Sequence, residues 1–145
     1  MNDERILCSS EIYADMVLAK YGISPEGNPT NDEAIINEAA YHTQQAVEKY
    51  LKFYLRDVYG EDETQKRFRI HNISTLATRL ADHGHQVSQE IIDNADELSE
   101  WEANSRYGHS VVTTREKISE MLDLLDTLLE EVKSKEVELL DKTSK

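Results

Sequence analysis

Cysteine, proline, glycine and positive charge are all scarce in this chain, and each shortage removes a class of protein. Cys8 is the only cysteine, so no internal disulfide forms and no thiolate cage holds zinc. With only two prolines and five glycines among 145 residues, the composition suits helices better than a turn-rich sheet. No apolar run approaches the ~20 residues that a membrane span requires. The start, Met1-Asn2-Asp3-Glu4-Arg5, lacks the basic residues and apolar stretch of a signal peptide, which makes the cytoplasm the expected location. Lysine and arginine number 16 against 29 acids, for a net charge of −13. Counterion release needs cations facing phosphates, so the molecule as a whole repels nucleic acid. The densest positive stretch is Lys66, Arg67 and Arg69 followed by His71, either a solvated inter-helix loop or a local binding patch.

What is present points to one acidic, all-α domain. A chain of this length can bury roughly 70% of its unfolded surface, and 39% of its residues are hydrophobic. The first helix is expected from near Asp3 to Lys20, with Ile6, Tyr13, Met16, Val17 and Leu18 as a ragged stripe ended by Tyr21-Gly22. Both prolines fall in the loop that follows, 24–30. The clearest element is a second helix from Asp32 to Tyr59, capped by Asn31 or Asp32 and roughly 42 Å long. Its stripe runs Ile36, Ala39, Ala40, Thr43, Val47, Tyr50, Leu51, Tyr54, Leu55, Val58 and stops at Gly60.

A third helix, capped by Asn72 or Ser74, carries Ile73, Leu76, Ala77 and Leu80 and stops at His83-Gly84-His85. A fourth begins at Ser88, with Ile91, Ile92, Ala95, Leu98 and Trp101 inward, and weakens at 104–110. A fifth starts near Thr113 or Thr114, with Ile118, Met121, Leu122, Leu125, Leu128, Leu129 and Val132 as its apolar face. No stretch alternates with period two for long enough to found a sheet. The expectation is a single domain over 1–145, a four- or five-helix up-and-down bundle with its core at about 3–133 and a charged tail, 134–145, extending into solvent.

The second helix reads Tyr41-His-Thr-Gln-Gln-Ala-Val-Glu-Lys-Tyr-Leu-Lys-Phe-Tyr-Leu55, which resembles the His-x-x-Gln-Gln-Ala-x-Glu-Lys helix of HEPN domains. His71-Asn-Ile-Ser-Thr-Leu76 is similar to the family's His-x-Leu helix start, with Ile73 in the leucine place. Ser105-Arg106-Tyr107-Gly108 is similar to its Arg-Tyr-Pro turn, with glycine for proline. The three motifs occur in the family's order between positions 32 and 130. Independently of the family, His42, Gln45 and Lys49 share one helix face, and Glu48 and Lys52 form an i, i+4 pair with the acid first. His42, Gln45, Lys49 and His71 are therefore candidate ligand-binding residues. Their alternative role is to satisfy buried polar groups between helices.

Active HEPN proteins are metal-independent RNases. Their signature is an arginine, four to six residues, then a histidine near the start of the last core helix, with two copies meeting across a dimer. Histidine moves protons to and from the ribose hydroxyl and leaving oxygen, and arginine stabilises charge on the phosphate. Here Arg106 and His109 enclose only two residues, and no histidine follows in the last helix. Arg79 and His85 have the right separation but close the third helix instead. HEPN toxins paired with a minimal nucleotidyltransferase carry a related motif, also absent. The resemblance thus implies the non-catalytic branch: a dimeric module binding a nucleotide or a nucleotide-handling protein such as a nucleotidyltransferase. The alternative is a metal-independent endoribonuclease or toxin of a defence system using Arg106 and His109. Arg106 is the candidate phosphate contact by its bidentate fork, or else an ion-pair partner within the bundle. Tyr107 either stacks on a base or packs.

Other chemistry finds little support. His83-x-His85 brackets a glycine, a spacing that matches neither a helical histidine pair nor a zinc finger and reads as a solvated turn. There is no phosphate-binding glycine loop, nucleophile elbow or His-Glu-x-x-His. Cys8 has no evident activating base, and Trp101 belongs to an apolar face. No cofactor or metal is expected.

Overall fold

A computed structural model describes residues 7–61, 71–106 and 113–143, leaving aside the side chains of residues 105, 106 and 143. Five α-helices make up these residues: α1 (Cys8–Ile23), α2 (Glu33–Phe53), α3 (Ile73–Asp82), α4 (Gln89–Arg106) and α5 (Arg115–Thr143). No strand occurs among the described residues. The all-α bundle follows from the helical periodicity of the apolar residues.

α2 is the spine and packs against each of the other four helices. The Asp32 side chain caps it, accepting from the backbone N–H groups of Ala34 and Ile35. Every apolar position expected on its stripe up to Leu55 is buried. Val58 is half-buried against the core. At its end the helix loosens by one residue per turn: Tyr54–Val58 winds as a π-turn, with Tyr59 N–H donating to the Tyr54 carbonyl. Gly60, at φ +72°, then turns the chain left-handed, and Glu61 N–H donates back to Leu55 O. The same device closes α3, where Gly84 sits at φ +82° while the N–H groups of Gly84 and His85 reach Ala81 O and Leu80 O. Asn72 caps the start of α3 through Thr75 N–H.

α1 differs from its expected reading in three ways. Leu7 is extended, so the helix starts at Cys8; residues 1–6 lie outside the described ones. It does not stop at Gly22, which is helical and buried. It ends one residue further, where Ser24 Oγ donates to the Tyr21 carbonyl at 2.7 Å ahead of Pro25. The buried face is Cys8, Ser9, Ile12, Asp15, Met16, Ala19 and Gly22, whereas Tyr13, Val17 and Leu18 point outward. The reason is steric. α1 and α2 come closest where Gly22 meets Ala39: a Cβ on Gly22 would lie 3.1 Å from that of Ala39. A larger side chain at that point would push the helices apart.

α5 closes the bundle with its expected apolar face fully buried, from Ile118 to Val132. Thr114 Oγ1 accepts from Lys117 N–H at its start. It does not end at Lys133: the helix continues to Thr143, and Glu136 is buried, accepting from Ser9 N–H at 3.2 Å. That carboxylate serves as the N-terminal cap that Leu7 cannot supply to α1. α4 buries Ile91, Ala95, Leu98 and Trp101, but Ile92 faces outward, one position off the inward arc.

Candidate functional site

The polar residues of α2 sort onto two neighbouring faces, each organised around a buried carboxylate. Towards α1, Asp15 receives His42 Nδ1 on one oxygen at 2.9 Å and Lys49 Nζ on the other at 2.6 Å. Towards the start of α3, Glu48 receives Gln44 Nε2 at 3.0 Å, His71 Nδ1 at 3.0 Å and Lys52 Nζ at 2.9 Å. Gln44 Nε2 also donates to the His71 carbonyl at 3.4 Å, and Gln45 donates to Gln44 Oε1 at 2.7 Å.

Both carboxylates are shielded, with Asp15 7% and Glu48 5% exposed, so water contributes little to holding these charges. Buried acceptors need donors of their own, and each has a lysine and a histidine within hydrogen-bond reach. Because a carboxylate only accepts, each histidine presents Nδ1–H to its acid, leaving Nε2 as the basic nitrogen of the neutral ring. The arrangement joins three helices: α1 through Asp15, α2 through its signature residues, and α3 through His71.

Of the candidate residues, His42 and Lys49 are brought together on Asp15, and His71 joins the neighbouring Glu48. Gln45 bonds within its own helix, to Gln44. Arg106 is the last residue of α4. Tyr107 and His109 lie outside the described residues, as does the basic stretch Lys66, Arg67 and Arg69.

Beside His71, between the start of α3 and the second half of α4, lies an open cleft of about 560 Å³. Asp96, Glu100 and Glu102 line it, and its last α4 residue, Ala103, is three positions before Arg106. A second cleft, about 580 Å³, sits where the starts of α2 and α5 meet. Its Arg115 is committed to structure, donating to Asn31 Oδ1, Ile23 O and Asn28 O at 2.8, 2.9 and 2.6 Å. No group of three or more His, Cys, Asp or Glu among the described residues forms a metal-binding cluster.

His83 lies in an exposed turn, as expected, and both histidines have partners there. His83 Nε2 meets Glu61 at 2.5 Å and its ring stacks on Tyr59, 4.8 Å between centroids. His85 Nδ1 lies 3.0 Å from the Tyr59 hydroxyl, with Tyr54 packed against the ring. They anchor the end of the π-turn to the α3–α4 connection, and burial pushes the His85 pKa down. Tyr50, donating to Glu131 at 2.9 Å, is held above the usual phenol range, chiefly by burial. Burial likewise pushes the Cys8 thiol up to about 12, so it packs as a protonated group. Trp101 is core, 1% exposed.

Sequence reasoning missed Asp15 and Gln44. Asp15 was legible as an acid at helical spacing among Ile12, Met16 and Ala19, once the buried face of α1 is drawn through those residues. Gln44, fully buried, follows from the double glutamine: one faces in and one faces along the helix.

An all-α bundle whose central helix ties its neighbours through paired carboxylates defines the class. Residues 30–135 match the HEPN domain, and the chain belongs to the HEPN family. No curated protein matches the chain, and neither does any solved structure.

Proposed function

We propose that this chain is a non-catalytic HEPN interaction module, acting as a dimer in the cytoplasm and binding a nucleotide-handling protein or a nucleotide. One observation supports this reading most. The signature residues His42, Lys49, Glu48 and His71 are occupied with one another and with Asp15, as structural polar groups are. Beyond them, Arg106 and His109 depart from the spacing of the RNase motif. Arg106 and Tyr107 are the residues through which a nucleotide would be held.

The test is an RNA-cleavage assay in chelator, run beside thermal melts with nucleoside mono-, di- and triphosphates and with a minimal nucleotidyltransferase. The expected result is no cleavage, and a melting shift with the protein or a nucleotide. Metal-free cleavage lost on joint Arg106→Ala and His109→Ala substitution would replace this reading with that of an RNase. No shift with any ligand would remove the binding role.

A further inference from the structure

α1 carries large apolar side chains on both of its sides, yet only one side is covered. Its outer face carries Leu7, Tyr13, Val17, Leu18 and Tyr21, which are 46, 57, 45, 53 and 62% exposed. A helix hydrophobic all round belongs in an interior. These five side chains open on the order of 500 Å² of apolar surface, within the range of the largest patch on a monomer, which is often functional.

The pattern within the face is specific. Ser10, Ala14, Val17 and Tyr21 follow each other by four, three and four residues, the a and d positions of a coiled coil, with Leu7 just ahead of the helix. All five are exposed. Glu11 and Leu18 fall at the e positions, Tyr13 and Lys20 at g.

We propose that this face is where a second copy of the chain docks, the two α1 helices packing antiparallel about a two-fold axis level with Asp15 and Met16. This rests on the dimeric part of the reading above and is independent of its ligand. In that register each a residue faces a d residue: Tyr21 meets Ser10 of the other copy, and Val17 meets its Ala14. Large therefore opposes small at each layer, twice over by symmetry, which lets the helices approach closely and is the self-complementarity an isologous contact needs.

Charge agrees. The two molecules each carry −13, but this face holds one acid, Glu11, and one base, Lys20, both at its rim, the latter paired at 3.0 Å with Asp126 of its own chain. The antiparallel register sets Lys20 beside Tyr13 of the other copy, a cation against an aromatic ring, and Glu11 beside Leu18. No like charges meet across the seam. An anionic membrane is a poorer occupant, since such a helix would be flanked by several lysines or arginines. With its rim, the contact approaches the roughly 600 Å² per partner at the lower end of specific interfaces.

The experiment is sedimentation velocity on the full chain at micromolar concentrations, with Val17→Glu, Ala14→Lys and an equimolar mixture of the two. Both positions are exposed, and far-UV circular dichroism verifies that each variant keeps its helices. The wild-type chain is expected to sediment as a dimer. Each variant alone is expected to dissociate, with roughly a 100-fold weaker association for Val17→Glu. The mixture is expected to regain a heterodimer, because the introduced carboxylate of one chain then faces the introduced ammonium of the other. A dimer indifferent to Val17→Glu overturns this face while leaving dimerisation intact. A wild-type monomer overturns both. Dissociation by each variant without recovery in the mixture overturns the antiparallel register.

Discussion

α1 and α2 lie side by side, yet they deploy their residues in opposite ways. α2 has one apolar stripe and buries all of it, and its polar signature turns inward as well, onto Asp15, Glu48 and the start of α3. α1 has two apolar faces, buries the one carrying Ile12, Met16, Ala19 and Gly22 and leaves the one carrying Tyr13, Val17, Leu18 and Tyr21 in water. The contrast separates two jobs within one contact. Residues that look functional by chemical type hold the bundle together, while residues that look like core by hydrophobicity are left for a partner.

The largest break in this comparison comes from the buried acids. Glu48→Ala removes the acceptor shared by Gln44, His71 and Lys52 and is expected to cost about 3 kcal/mol, read from urea unfolding. Asp15→Ala is expected to cost less, about 2 kcal/mol, because Lys49 and His42 are 34% and 25% exposed and regain water. A loss under about 1 kcal/mol for Glu48→Ala would mean that the signature helix is held by its apolar stripe alone.

The small-residue seam supplies the next test. Gly22→Leu forces a side chain into Ala39 and is expected to destabilise by about 2 kcal/mol, whereas Tyr21→Ser, one residue away on the open face, changes the dilute chain by less than about 0.5 kcal/mol. Equal effects would abolish the distinction between the two faces. Glu136→Ala takes away the acceptor at Ser9 N–H and is expected to cost about 1 kcal/mol.

The smallest effect is one of pH. Burial lowers the His85 pKa below its ordinary 6.5, with Lys135 acting in the same sense and Glu131 opposing it. The unfolded chain therefore takes up a proton at His85 before the folded one does. Its contribution to stability is present above pH 6.5 and is lost as pH falls below that value through the folded pKa. Stability measured from about pH 7.5 to about pH 5 is expected to decline less steeply in His85→Phe than in the wild-type chain.

Much of the fold was legible because α2, α3 and α5 each have a single apolar arc, so periodicity and caps agree, and so do the stops of α2 and α3. Asn72 and Asp32 cap where their side chains and positions suggest, and Gly60 and Gly84 take the left-handed turns. α1 was misread for the converse reason. Its apolar residues surround the helix, and which side goes inward depends on the fit of Gly22 against Ala39 of α2, which periodicity does not show. The same limit hid Asp15, whose role exists only once α1 lies against His42 and Lys49. The π-turn at Tyr54 was also invisible, because a shift of one residue in hydrogen-bond spacing leaves the apolar pattern nearly unchanged.

The division between the two helices is tested most directly by the concentration dependence of the urea midpoint, compared between the wild-type chain and Val17→Glu. A partner bound only by the folded chain raises stability with concentration. The wild-type midpoint should climb from nanomolar to high micromolar chain, while that of Val17→Glu stays flat at the wild-type dilute limit. A wild-type midpoint that does not move, or a Val17→Glu midpoint well below that limit, would contradict the assignment of α1's outer face to association and of the inner network to stability.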